Sequence, residues 1–213
     1  MRALTSRLTS RLTVAAAGFT VALGLTAITF GGSARAEDKP FVDRGHTSIH
    51  FHVTHGGFTP TIYQFRQIEK VDFYFDPKDP SKSKVGFVID AASLDSNHYF
   101  RDNWARSAAE LNVWKFPKIT FTSTKVEKTG ADSGKVTGNL TMHGVTKEIT
   151  ANIKYHTGKH FSGKVTVHGF TATGVLKRSD FGLKAFTKVG NMNWIGDDVH
   201  FTVLLEQKRP VAK

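Results

Sequence analysis

From Ser48 to His55 the chain alternates without a break between two kinds of side chain. Ile49, Phe51 and Val53 fall on one side of an extended strand, because strand side chains alternate with period two. Ser48, His50, His52 and Thr54 fall on the other. One face wants an apolar interior and the other can face water. The pattern returns at Val85, Phe87 and Ile89, at Ile119 and Phe121, and at Val136, Leu140 and Met142. It continues with Ile149, Ala151, Ile153 and Tyr155, with Val165 and Val167 up to a break in the pattern that Gly169 and Phe170 mark, and with Val199, Phe201, Val203 and Leu205.

A second strand is expected from about Ile62 to Phe75. Its apolar phase flips and returns, which predicts bulges near Gln67 and Lys70. Asp76 to Pro80 reads as a turn, and His143-Gly144 as a tight one. Asp95, Ser96 and Asn97 offer helix caps. Phe100, Trp104, Ala108 and Leu111 then recur at helical spacing, predicting one helix from His98 to about Glu110. Leu176 to Gly196 has no clean period and reads as a long loop. The sum is an all-β fold. Eight antiparallel strands close into a barrel, with one helix inserted between strands 3 and 4.

The start of the chain differs. Arg2, Arg7 and Arg11 precede a mostly apolar or small run from Leu12 to Phe30, and Ala34-Arg35-Ala36 fits a cleavage pattern. Residues 1–36 read as a secretory signal peptide and 37–213 as one barrel domain. Of 213 residues, 177 remain after cleavage, and loss of four arginines lowers the net charge from +11 to +7. That charge suits transient contact with an anionic membrane surface and does not require nucleic acid. There is no cysteine, so the secreted domain must rest on its hydrophobic core. No second apolar run approaches the length of a membrane span.

Seven blocks in order make the chain similar to the YceI family of periplasmic, lipocalin-like, polyisoprenoid-binding proteins. They are His46, Ser48, Phe51, Val53, His55 and Gly57; Asp76-Pro77; Ser93 to Asn97; Arg101-Asp102 with Arg106-Ser107; Lys115 to Phe121; Gly138 to Lys147; and Arg178 to Gly182. The resemblance implies an elongated pocket inside the barrel that holds an isoprenoid or quinone-like lipid. It implies a soluble periplasmic carrier without catalysis or a resident cofactor. Tyr63 departs from the family's glycine, and Trp104-Ala105 replace its His-Leu. Both changes bear on pocket shape.

By parity Ile49, Phe51, Val53, Phe73, Phe75, Phe87, Ile89, Phe121, Leu140, Met142, Ile153, Tyr155, Val167, Phe201 and Val203 face inward. His55 shares that parity at a pocket mouth. Trp104 stands on a helix that can cap the barrel, and Phe181 is expected to point inward. These are the candidate lipid contacts; the alternative is that the rings simply fill the barrel. Arg101 and Arg178 are candidates for a polar head group. Their alternatives are an ion pair that fixes the helix and a solvent-facing Arg178 beside an Asp180 turn.

Parity also puts His50, His52 and His200 on the outer face of neighbouring strands. No carboxylate or cysteine is evident to complete a metal site there, so no metal is expected. No spacing aligns a nucleophile, base and acid. The partner expected is a long-chain lipid, and the chain a monomer or homodimer. The rival readings are an enzyme acting on such a lipid in the same pocket and metal binding by surface histidines.

Overall fold

The computed structural model describes residues 39–211; the expected signal peptide lies outside them. Ten strands form one antiparallel sheet. They are β1 (Phe41–His55), β2 (Thr59–Phe65), β3 (Ile68–Tyr74), β4 (Lys84–Asp90), β5 (Leu94–Asp95), β6 (Lys118–Lys128), β7 (Ser133–Met142), β8 (Val145–Lys159), β9 (Val165–Lys177) and β10 (Asp198–Pro210). Their spatial order is β3-β4-β6-β7-β8-β9-β10-β1-β2-β5. The sheet curls on itself, so that Phe73 on β3 meets Phe170 on β9 with ring centroids 5.2 Å apart. No helix among the described residues is long and apolar enough to cross a membrane.

The expected count of eight is corrected to ten, for two reasons. The presumed second strand is two strands. Phe65 pairs with Ile49 on β1, whereas Ile68 pairs with Ile89 on β4. The phase flip at Gln67, read as a bulge, is where the chain leaves one ladder for another; a bulge does follow, between Ile68 and Lys70. The other addition, β5, pairs only Leu94 and Asp95 with Phe65 and Gln64. Two residues are too few for periodicity to register.

The ladder is therefore not closed by strand pairing around its whole circumference. β1 and β10 do pair, with Phe51 opposite Phe201. The seam lies along β3, whose outer edge has unpaired backbone groups. Guanidinium groups reach across the seam from β1 and β10: Arg44 donates to the carbonyl of Ile68, and Arg209 to that of Phe75, just past the end of β3, at 3.1 Å. Covering an edge in this way blunts pairing with another chain.

The helix, α1 (Tyr99–Arg106), falls between β5 and β6, which the two added strands make of the interval expected between strands 3 and 4. It is shorter than expected. His98, not Asp95 to Asn97, caps its start, its Nδ1 accepting from the Arg101 N–H at 3.3 Å. Ser107 stops it by donating its hydroxyl to the carbonyl of Trp104 at 2.7 Å. The β7–β8 connection is the tight turn expected, with positive φ at both His143 and Gly144, as a two-residue hairpin of matching twist needs. Much of the core gathers beneath α1, where Ile89, Ala91, Leu94, Leu111, Ile119 and Phe181 are buried together.

Candidate functional site

Inside the curl runs a cavity of about 360 Å³, walled almost wholly by apolar side chains. Ligand pockets commonly hold roughly 300–1,000 Å³. Strand register gives it direction. Toward one end Phe170 stands opposite Tyr155 and Leu205; toward the other Leu176 stands opposite Val199. The first end reaches solvent among the exposed lining residues Pro77, Lys84, Lys128 and Ala131. The second stops at buried Glu110, Leu111, Arg178 and Leu183.

The space exists because two glycines let rings lie flat. A Cβ on Gly138 would stand 2.6 Å from Cζ of Phe121, and one on Gly174 2.5 Å from Cζ of Phe201. Both glycines share the inner phase of their strands, with Val136 and Leu140 on β7 and with Ala172 and Leu176 on β9. Ala151 and Ala172 line the same walls. Small residues on β7, β8 and β9 thus share the lining with aromatic rings from β1, β3, β4, β6 and β10.

The closed end is held by a buried ion pair. Arg178 donates from Nη1 to Glu110 at 2.8 Å, from Nε to the Gly196 carbonyl at 3.1 Å, and from Nη2 to the Ala185 carbonyl at 2.7 Å and to Thr187 Oγ1 at 3.0 Å. One guanidinium therefore pins both ends of the 184–196 loop. Burial pushes the Glu110 carboxyl above its usual range, and the Arg178 charge opposes that rise. Toward the open end, Tyr155 lies 2.7 Å through its hydroxyl from Nδ1 of His168. Burial, with the charge of Arg209 nearby, holds the His168 imidazole below its usual pKa.

Fifteen of the expected contacts line the cavity: Ile49, Phe51, Val53, Phe73, Phe75, Phe87, Ile89, Trp104, Phe121, Leu140, Met142, Ile153, Tyr155, Phe201 and Val203. Three do not. His55 ends β1 in the open, its ring 5.0 Å from that of Trp194. Val167 points outward, because the β9 ladder runs from Val165 to Lys177 without the break expected at Gly169. Its inner phase is therefore even-numbered. Phe181 is turned inward but is packed as core, 1% exposed, behind the wall.

Neither head-group candidate is free at the cavity. Arg101 is not among the lining residues; it donates to Ser96 Oγ at 2.7 Å and to the Ser96 carbonyl at 2.9 Å. Arg178 is buried rather than solvent-facing, and its donors go to protein acceptors. Sequence reasoning missed Phe170, Ala172 and Leu176, whose even alternation on β9 was the available signal. It also left out Phe65. Tyr63 stacks on Phe51 at 5.0 Å and so thickens the wall at the residue that departs from the family.

On the outer face His52 and His200 stack with centroids 4.8 Å apart, while His50 turns to Ser48 Oγ at 2.9 Å. A separate trio, Asp43, His46 and Glu206, comes close enough to offer ligand atoms to a cation. Lys208 already occupies it, 2.5 Å from Asp43. Lys208 and His46 hold the Asp43 carboxyl down to about 2. A resident ammonium there opposes a metal ion by like charge.

The YceI-like domain profile matches residues 41–207. The Protein YceI of Salmonella arizonae is 40% identical over 168 residues, covering 78% of this chain and 85% of that protein. Burkholderia cenocepacia BcnA superposes with a TM-score of 0.67 at 20% identity, over 78% of this chain and 99% of that one. A polyisoprenoid binding domain from Saccharophagus degradans, implicated in plant cell wall breakdown, superposes with a TM-score of 0.56 at 16% identity, over 80% of this chain and 98% of that one.

Proposed function

The chain belongs to the YceI-like family, and from that premise we propose that it binds a long apolar lipid, such as an isoprenoid or isoprenoid quinone, along its cavity. It would sequester or carry that lipid in the periplasm, meeting anionic membrane surface in passing. One observation carries the reading: the cavity is continuous, apolar and kept clear by Gly138 and Gly174. Packed interiors leave few voids larger than a water molecule, so a cavity of about 360 Å³ is more than a fold built only for stability would leave. The description of a fold neighbour as polyisoprenoid-binding is in keeping with it.

The energetics need no catalytic group. Burial of apolar chain gains about 0.8 kcal/mol per CH₂, which outweighs ordering costs of several kcal/mol once the chain is long. Affinity must then grow with chain length until the cavity is full.

The test is a titration of delipidated protein with isoprenoid quinones of increasing chain length, followed through quenching of tryptophan fluorescence; Trp104 lines the cavity. Affinity rising with chain length and then levelling supports the reading. Equal affinity for the bare quinone ring and the long-chain forms contradicts it. Recovery of the ligand chemically unchanged after long incubation separates a carrier from an enzyme.

A further inference from the structure

The outside of the closed end is built from three segments: the β1–β2 hairpin, the start of α1 and the 184–196 loop. Backbone bonds tie two of them, with the Gly56 N–H donating to the Trp194 carbonyl at 2.7 Å and the Gly196 N–H to that of Thr54 at 2.8 Å. Trp104 of α1 packs on Phe186 with centroids 5.1 Å apart and brings in the third. Phe100 stands one helical turn before Trp104, on the same face.

Large apolar side chains are left in the open across all three. Phe58 is 73% exposed, Tyr99 71%, Phe100 76% and Phe186 50%. Val189 and Met192 of the same loop are exposed too. Among the described residues nothing covers them. Single exposed apolar residues are ordinary, but several large ones gathered on three linked segments mark a contact surface.

Charge selects the partner. Residues 56–63 and 181–196 contain no Asp or Glu, and Lys184 and Lys188 are exposed in the loop. Asp102 of α1 is buried and accepts from the Ser96 N–H, so it leaves the surface to the rings and lysines. Aromatic rings with lysines beside them suit the headgroup layer of an anionic bilayer, where rings enter the interface and ammonium groups meet phosphates. The patch is also continuous with the cavity wall. Trp104 and Ile195 line the cavity from inside. Trp104 packs on Phe186, and the Ile195 N–H donates to the Phe186 carbonyl at 2.9 Å.

We infer that this end is a docking face for an anionic lipid bilayer, with Phe58, Phe100 and Phe186 entering the interface and Lys184 and Lys188 supplying the charge preference. Its purpose rests on the lipid-carrier reading; its geometry does not. A bilayer docked here lies one layer of side chains from the cavity.

The experiment is cosedimentation of the processed protein with vesicles of phosphatidylglycerol and phosphatidylcholine in equal parts, and with phosphatidylcholine alone. Wild type should pellet with the mixed vesicles, less with the neutral ones, and less again as salt is raised. A Phe58→Ser, Phe100→Ser, Phe186→Ser variant should bind roughly tenfold or more weakly, from the apolar area withheld. A Lys184→Gln, Lys188→Gln variant should lose the preference for anionic vesicles. None of these five residues lines the cavity, so lipid content by extraction should stay at the wild-type level in both variants. Wild type that fails to pellet, or a triple variant that pellets equally well, overturns the docking face whatever the lipid content. A wild-type dimer that the triple variant dissolves, with no vesicle binding by either, assigns the patch to a second copy and overturns it as well. Wild type that pellets but takes up no lipid leaves the face standing and removes the carrier reading.

Discussion

The ring of Phe201 lies across Gly174, its direct partner on the neighbouring strand, so closely that a Cβ there would sit 2.5 Å from Cζ. Phe121 lies over Gly138, which is diagonal to it on the neighbouring strand; its direct partner is Leu140. Each ring is spent on covering backbone rather than on filling the lumen. Removing the glycine must lift the ring into the space the lipid needs.

Gly174→Val and Gly138→Val should therefore lower lipid binding, together more than singly. Two further costs are expected. Overpacking commonly destabilises by about 1–3 kcal/mol, and the Thr122 and Thr150 carbonyls near these positions must give way. The companion changes Phe201→Leu and Phe121→Leu should restore part of the binding. Lipid content by extraction, beside a denaturant melt, separates blocked binding from lost stability.

Phe181 and Phe73 test the boundary between core and wall. Phe181 is packed on all sides, so Phe181→Ala should cost about 3–5 kcal/mol of stability. Phe73 lines the cavity and is only partly buried. Phe73→Ala should cost less stability and change ligand affinity more. Urea unfolding and the quinone titration read the two effects separately.

Arg178 should prove a structural keystone. Arg178→Met strands Glu110 without its partner in a buried site, a loss of about 3–5 kcal/mol. The double change Arg178→Met, Glu110→Met should recover much of it, because no unpaired charge is then left behind. Hydrogen exchange should quicken across residues 184–196, whose carbonyls the guanidinium holds.

Acid should act in two steps. His168 has a folded-state pKa below its ordinary 6.5, chiefly through burial. The unfolded chain then binds the proton more readily, so this contribution is present above about pH 6.5 and is lost as pH falls through the lower folded value. Asp43 has its pKa lowered from 3.8 to about 2, chiefly by Lys208. Its contribution is present above pH 3.8 and is lost as pH falls toward 2. Asp76, Asp79, Asp95 and Asp197 are lowered as well and add to this second step. In urea melts across this range, His168→Gln should flatten the first step and Asp43→Asn should shrink the second.

Much of the wall was legible because parity is a local property. Ile49, Phe51 and Val53 needed only the period of a strand to be placed on one face. Elsewhere legibility failed for physical reasons. Gly169 mimicked a strand break, so the even phase of Phe170, Ala172 and Leu176 went unread and Val167 was turned inward. The crossing at Gln67 looked like a bulge because both disturb phase in the same way. The burial of Arg178 had no local sign, because its ion-pair partner Glu110 is 68 residues away and its acceptors Ala185 and Gly196 lie in a loop without periodicity. Glycines beneath rings depend likewise on cross-strand neighbours that no window of sequence contains.

Organic extraction and mass spectrometry of protein purified without detergent decide whether the lumen holds a lipid tail. A long-chain isoprenoid or comparable apolar lipid is expected at close to one molecule per chain, much reduced in the Gly138→Val, Gly174→Val double variant. Wild-type protein that yields no such lipid, and takes none up when it is supplied, would contradict that expectation.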